Sequence, residues 1–349
     1  LSQLLQLQLG AQTVELRISD HRALIEAAPE STQTELRATA NRFFRGTIPG
    51  VDGSWVRLSW IGGRWSGGFY DGQELILVDR ADGFRLPAGR SALAGQAIAY
   101  RFSDLRLDGL VDFGGVEGAQ RPGDAADYSG FVQHLRDVQL LQGNAMFAMP
   151  IKLVADTQFQ ATHGANALSV AMGRINFIDG IYASQLGTGI SLWHYEALSN
   201  NGPLTDTNSS DLIVAFREYM SFGSGSDIPF EGLAHLFSGR DFDNSTVGAA
   251  YLGVLCNRDF GYGINQNLGN DTTSALVFAH EVGHNFNSPH DGEDECVDET
   301  FNGIMNPSVN GSQQFSACSL GIMATEVGTA SCLVERNNEE FVFADDFES

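Results

Sequence analysis

Residues 280–291 read His-Glu-Val-Gly-His-Asn-Phe-Asn-Ser-Pro-His-Asp, and no other stretch restricts this chain's fold as much. On a helix His280 and His284 are i,i+4 neighbours, so both imidazoles leave one face and can grip a single metal ion. Glu281 sits beside them, where a carboxylate can take a proton from water. Asn287 interrupts the helix, and His290 can then swing back as a third donor. The run therefore demands a helix, a stop at a fixed point and a sharp turn.

The flanks agree with that demand. Asp271, Thr272, Thr273 and Ser274 offer N-cap oxygens, and Ala275, Leu276, Ala279, Val282 and Phe286 form an apolar stripe. A Gly-Ile-Met-Asn turn comes shortly after, at 303–306. A lone histidine is ordinarily a surface or hydrogen-bonded core residue. Three at this spacing, with a glutamate, point instead to a zinc ion held by three neutral imidazoles with one position open.

These stretches resemble the metzincins, and their details resemble the adamalysin (reprolysin, ADAM-type) branch. The likeness is carried by residues 241–256, Asp-Phe-Asp-Asn-Ser-Thr-Val-Gly-Ala-Ala-Tyr-Leu-Gly-Val-Leu-Cys, and by the histidine run ending His290-Asp291. Ile304-Met305-Asn306-Pro307 and Phe315-Ser316-Ala317-Cys318 complete it. Order and spacing match over residues 148–335. The resemblance implies an α+β catalytic domain, a mixed β-sheet with helices. It would hold one Zn²⁺ on His280, His284 and His290, with Glu281 as general base and Met305 in a turn that floors the site. It further implies that Gly248, Ala249, Ala250, Tyr251, Leu252 and Gly253 form an edge that pairs with an extended peptide substrate. Residues 307–315 would help shape the pocket beyond the scissile bond. One position departs from the family: Asn287 stands where its members have glycine. Asparagine is the non-glycine residue that best tolerates the left-handed backbone required there.

Forty-three acidic residues face 20 basic ones, of which only Lys152 is lysine, for a net charge of −23. That field disfavours nucleic acid as a partner. No apolar run is long enough for a membrane span. Residues 1–12 lack the charged start and apolar core of a signal peptide, as expected if the numbering begins after one was removed. The four cysteines, Cys256, Cys296, Cys318 and Cys332, all fall late. An even, clustered set suggests two disulfides and a secreted protein, and sequence alone allows three pairings. The family resemblance favours Cys256–Cys332 and Cys296–Cys318.

Four segments are expected. Residues 1–113 read as an all-β domain: 13–18, 54–60 and 74–79 are strand-like, separated by Gly62-Gly63, Gly67-Gly68 and Asp71-Gly72. This part is similar, more weakly, to the family's prodomain. Trp55, Trp60 and Trp65 read as packing residues rather than a carbohydrate platform. Residues 114–147 suit an exposed linker open to activating cleavage. From 148 to 335 strands alternate with helices. Strands are expected at 151–155, 190–195, 235–237 and 247–255, and helices through Ala167, Val170, Ala171, Ile175, Ile178 and Ile181 and over 212–220. His194 and His235 fall in strands with no second metal cluster and read as structural. The acidic tail, 336–349, resembles the short C-terminal tails of secreted bacterial proteins.

The family often silences its zymogen with a prodomain cysteine on the zinc, but residues 1–255 contain no cysteine. If the N-terminal domain inhibits intramolecularly, it must use steric cover or a carboxylate, with Asp104, Asp108, Asp112, Asp124 and Asp127 as candidates. In relatives with structural calcium a glutamate near the domain start is a ligand. The nearest match here is Lys152, whose ammonium replaces a cation, so Ca²⁺ is not expected there. The rival to a peptidase is a catalytically silent adhesion module on the same fold. Such proteins lose a ligand or the base, and this chain keeps all four. The expectation is a secreted, monomeric zinc endopeptidase acting on proteins or peptides.

Overall fold

The computed structural model describes residues 2–10, 12–80, 97–101, 147–227, 230–300, 303–308 and 314–336. Most of the expected linker, the five candidate aspartates, residues 309–313 of the expected pocket and the tail beyond Arg336 lie outside them.

The N-terminal part is a closed barrel of seven strands: β1 (Gln3–Leu9), β2 (Gln12–Asp20), β3 (Arg42–Thr47), β4 (Trp55–Ile61), β5 (Arg64–Tyr70), β6 (Leu75–Arg80) and β7 (Ala97–Arg101). Sequential neighbours are antiparallel, and β1 closes on β7 through Leu9 and Ala99. Closure removes the free edges that an open sheet would expose. Trp60 and Trp65 face each other across β4 and β5 with ring centroids 5.2 Å apart, and Phe44 lies 5.3 Å from Trp65. The aromatics are packing residues. The part is not all-β, however: two short helices, α1 (Arg22–Glu26) and α2 (Glu30–Arg37), come after β2. Pro29 caps α2, and Leu24, Ala28 and Leu36 are buried in the core shared with the second half. Ala28 lies in the bend between the two helices, and each helix is too short for periodicity to announce it.

The second half is a mixed sheet backed by helices, as expected for an α+β domain. Strands β8 (Phe147–Ala155), β9 (Thr188–Ala197), β10 (Leu233–Ser238) and β12 (Tyr262–Gln266) run parallel in the order β9-β8-β10-β12. Strand β11 (Gly248–Ala250) adds antiparallel to β12 and ends the sheet among the described residues. The short β13 (Val334–Glu335) pairs with the start of β8. Helices α3 (Thr157–His163), α4 (Ala167–Leu186), α5 (Ser209–Phe222), α6 (Asp271–Asn285) and α7 (Ala317–Thr329) complete it.

The strand expected over 247–255 is shorter in the structure. Only 248–250 are strand, and Leu252 and Gly253 form a bend. Gly253 has φ 67°, and its amide donates to the carbonyl of His284 at 3.0 Å, so it caps a helix instead of extending an edge.

Barrel and sheet meet on α4, which is buried around almost its whole circumference. Two glycines a heptad apart make the seat. A Cβ at Gly173 would lie 2.9 Å from Ile61 Cδ1, and one at Gly180 would lie 2.7 Å from Trp55 Cζ3 and Arg57 Cγ. The absent side chains let β4 approach closely, and Trp55, Phe43 and Leu77 join one core with Ile175, Ile178 and Met149. The seam is also polar. Asn41 donates to Ser169 Oγ at 2.7 Å, and His21 meets Asn176 Oδ1 at 2.8 Å. Burial, with Arg57 nearby, lowers His21 to about 3 and keeps it neutral. Asp179, fully buried, is held between Arg57 at 3.2 Å and Arg336 at 2.5 Å. Burial alone would raise its pKa, but Arg336 and Arg57 overcome this and hold it below the usual range.

Candidate metal centre

Helix α6 is positioned from its start. Asn270, not one of residues 271–274, is the N-cap: its Oδ1 accepts from Thr273 N at 2.8 Å. Three of the four expected oxygens are occupied elsewhere. Asp271 pairs with Arg174, Thr272 donates to Asp79 of the barrel, and Ser274 bonds around Leu268 and Asn270. Ala275, Leu276, Ala279, Val282 and Phe286 are all buried, as the stripe predicts.

The helix ends at Asn285, and Asn287 turns the chain with φ 70°. Its amide donates to His284 O at 2.8 Å, and Ser288 N donates to Gly283 O at 3.1 Å. This reversal brings His290 to the first two histidines. One ligand atom from each of His280, His284 and His290 lies within 4.8 Å of the others, and all three residues are buried.

Each ring is held from behind. Nδ1 of His280 meets Ile304 O at 2.7 Å, Nδ1 of His284 meets Ser288 O at 2.8 Å, and Nδ1 of His290 meets Glu293 Oε2 at 3.0 Å. These partners are acceptors, so each Nδ1 carries the ring hydrogen and each Nε2 presents a lone pair. Nε2 of His280 and Nε2 of His284 stand 3.0 Å apart. Two lone pairs at that distance repel; a shared cation turns the repulsion into coordination. The donor set therefore fits a three-histidine zinc centre with an open fourth position.

Glu281 is fully buried against the edge strand: a Cβ at Gly248 would fall 2.1 Å from its Oε1. Met305 is fully buried too, and its sulfur occupies the space where a Cβ on Gly283 would lie, 2.4 Å away. The Met305 turn is fastened to the histidine run. Asp291 N donates to Met305 O at 2.9 Å, Gly303 N donates to Asp291 Oδ2 at 2.8 Å, and Ser319 Oγ donates to Asp291 Oδ1 at 3.1 Å. The same turn supplies the Ile304 carbonyl that orients His280. Two disulfides tie the surroundings down, Cys256–Cys332 and Cys296–Cys318, the pairing that the resemblance implies.

Sequence reasoning missed the groups behind the ligands. Glu293 carried a readable signal, a carboxylate three residues after a histidine. Ile304 O and Ser288 O carried none, since any residue has a carbonyl. His235 lies away from the triad, buried, with Nε2 2.8 Å from Asn285 Oδ1. His194 is partly exposed on β9. Lys152 is buried and paired with Glu196 at 2.9 Å.

Residues 148–316 match the family described as Reprolysin_5, metallo-peptidase family M12. This segment is an adamalysin/reprolysin-like metzincin domain. The chain is 28% identical over 192 residues to the disintegrin and metalloproteinase domain-containing protein adm-2 of Caenorhabditis elegans, covering 53% of this chain and 20% of the relative. It is 28% identical over 186 residues to the zinc metalloproteinase-disintegrin-like brevilysin H2a of Gloydius brevicauda, covering 50% and 43%. The chain thus spans less than half the length of these curated relatives. Its fold is similar to metalloproteinase-II from Bacteroides fragilis, with TM-score 0.54 at 11% identity over 93% of this chain and 91% of that one. That likeness extends over the barrel as well as the metzincin domain.

Proposed function

We propose that the chain is a secreted zinc endopeptidase that cleaves proteins or peptides and carries its barrel as a prodomain. One observation carries the reading: three imidazoles, each with Nδ1 engaged behind it, turn Nε2 toward one point beside a glutamate packed on the edge strand. His280, His284 and His290 would hold the zinc ion, which when bound acidifies water and polarises a carbonyl. Glu281 would accept the proton of the attacking water and later hand it to the leaving amine. Its burial beside Gly248 keeps the carboxylate next to the backbone that a substrate strand would join. Gly248, Ala249 and Ala250 would offer that backbone, with Tyr251 at its end. Met305 would act as a floor, not a ligand. Purified protein should contain one zinc per chain and cleave an unfolded protein substrate, with a chelator abolishing cleavage. Zinc-loaded protein without any peptidase activity, before or after proteolysis of residues 102–146, would favour the silent binding module.

Latency belongs to the same proposal. The barrel sits on α4 and the first turns of α6 through a shared core, so cutting the connecting segment is a gentler test than deleting the barrel. Activity should rise after a cut within 102–146 and separation of the pieces in mild denaturant. Equal rates before and after would remove the inhibitory role.

A further inference from the structure

Behind the edge strand, a buried network joins β10, β12 and the end of α6. His235 of β10 lies in register with Gly263 of β12, and a Cβ there would fall 2.4 Å from its Cε1. The missing side chain gives the imidazole room to reach toward the helix. Its Nδ1 faces Asn265 Nδ2 at 3.1 Å, and an amide nitrogen can only donate. Nδ1 is therefore the acceptor, and Nε2–H donates to Asn285 Oδ1 at 2.8 Å. Asn285 then spends both amide hydrogens on backbone, Tyr251 O at 2.8 Å and Tyr262 O at 3.2 Å. His235, Asn265 and Asn285 are completely buried. Asn285 is the residue after His284, and Tyr251 is the residue after β11.

We propose that His235 and Asn285 are positioning residues that set the distance between the substrate-pairing edge, 248–251, and the histidine centre. The inference rests on the peptidase reading; neither residue touches substrate or metal. Two backbone bonds, Gly253 N to His284 O and Val254 N to Asn285 O, both 3.0 Å, tie only residues 253 and 254, beyond the edge. The Asn285 amide holds the carbonyl of Tyr251 itself. An apolar pair would fill the same volume, but would let the segment slide; the directed bonds from His235 to Asn285 and from Asn285 to Tyr251 O and Tyr262 O admit one register. Burial lowers His235 to about 4, so the ring stays neutral and the hydrogen-bond directions hold at working pH.

The test compares His235→Leu and His235→Gln in the full zinc-loaded chain. Glutamine can donate to Asn285 and accept from Asn265; leucine can do neither. Amide exchange of peptides covering 248–254 should rise about tenfold in the leucine variant, while those of α4 stay unchanged. KM for an extended peptide should rise about tenfold with a smaller change in kcat, zinc content should remain one per chain, and glutamine should restore both within about twofold. If leucine prevents folding, His235→Asn, too short to span, takes its place in the comparison. Unchanged exchange at 248–254 in a folded leucine or asparagine variant, or a glutamine variant as impaired as it, overturns the proposal. Altered exchange in a chain that never cleaves peptides would instead overturn the peptidase reading and leave the tether standing.

Discussion

Gly248 and Glu281 occupy one another's space: a Cβ on residue 248 would lie 2.1 Å from the Glu281 carboxylate. The general base of the proposed reaction is thus placed by the absence of a side chain on the edge strand. Gly248→Ala must push either the carboxylate or the strand, and a shift near 1 Å costs about 10²-fold in rate. We expect kcat to fall by about that factor with zinc content unchanged. Kinetics with a fluorogenic peptide and metal analysis check both halves; wild-type kcat would mean that the strand yields freely.

Removing the carboxylate itself is the cleaner test of chemistry. Glu281→Ala leaves the three imidazoles and their acceptors Ile304 O, Ser288 O and Glu293 in place, so zinc should stay bound. Activity should drop by about 10²–10⁴-fold, the usual contribution of a positioned base. An active variant would move the base assignment elsewhere.

Asp79 makes the barrel seam pH-sensitive. It is buried, accepts from Tyr100 Oη at 2.8 Å and from Thr272, and burial raises it from 3.8 to about 7. The folded state therefore holds a proton that the unfolded state releases. This contribution to stability is fully present below pH 3.8 and is lost as pH rises through 7, at a slope of at most about 1.4 kcal/mol per pH unit. Asp79→Asn cannot ionise, so its melting temperature relative to wild type should climb between pH 5 and 8. A difference that stays flat over that range contradicts the assignment.

The disulfides should differ in weight because they close loops of different length. Cys256–Cys332 spans 76 residues and Cys296–Cys318 spans 22. On chain entropy alone the first is worth about 4.5 kcal/mol and the second about 3.4. Serine pairs at each site, then urea unfolding, should show that order. The reverse order would mean that native-state packing, not loop closure, sets their value.

The site was legible because its chemistry is local in sequence: His280, Glu281 and His284 share one helix, and Asn287 marks where the chain must turn. The long α4 was legible from apolar spacing, but its glycines were not. Gly173 and Gly180 make sense only once β4 lies across them, and that contact joins residues more than a hundred positions apart. The same reason hid the partner of His235, Asn285, 50 residues further along the chain. The edge strand was read too long because Leu252 to Leu255 are as apolar as a strand; helix capping at Gly253 decided their shape. Helix α2 escaped because eight residues with two buried positions give no period to read.

Asn287 stands where the family that residues 148–335 resemble has glycine, and its φ of 70° shows that the turn is made regardless. An L-residue there costs about 1–2 kcal/mol, less for asparagine. Glycine would remove that cost but add unfolded-chain entropy of about the same size. The side chain also rests against Gly253, whose Cβ would meet Asn287 Oδ1 at 2.5 Å. Asn287→Gly should therefore keep zinc affinity and shift stability by less than about 1 kcal/mol, whereas Asn287→Ala, with the strain and without the amide, should lose about 1–2 kcal/mol. Chelator competition and thermal melts measure both variants. Loss of zinc in the glycine variant would mean that the amide side chain holds the turn through Gly253 and is more than a tolerated stand-in.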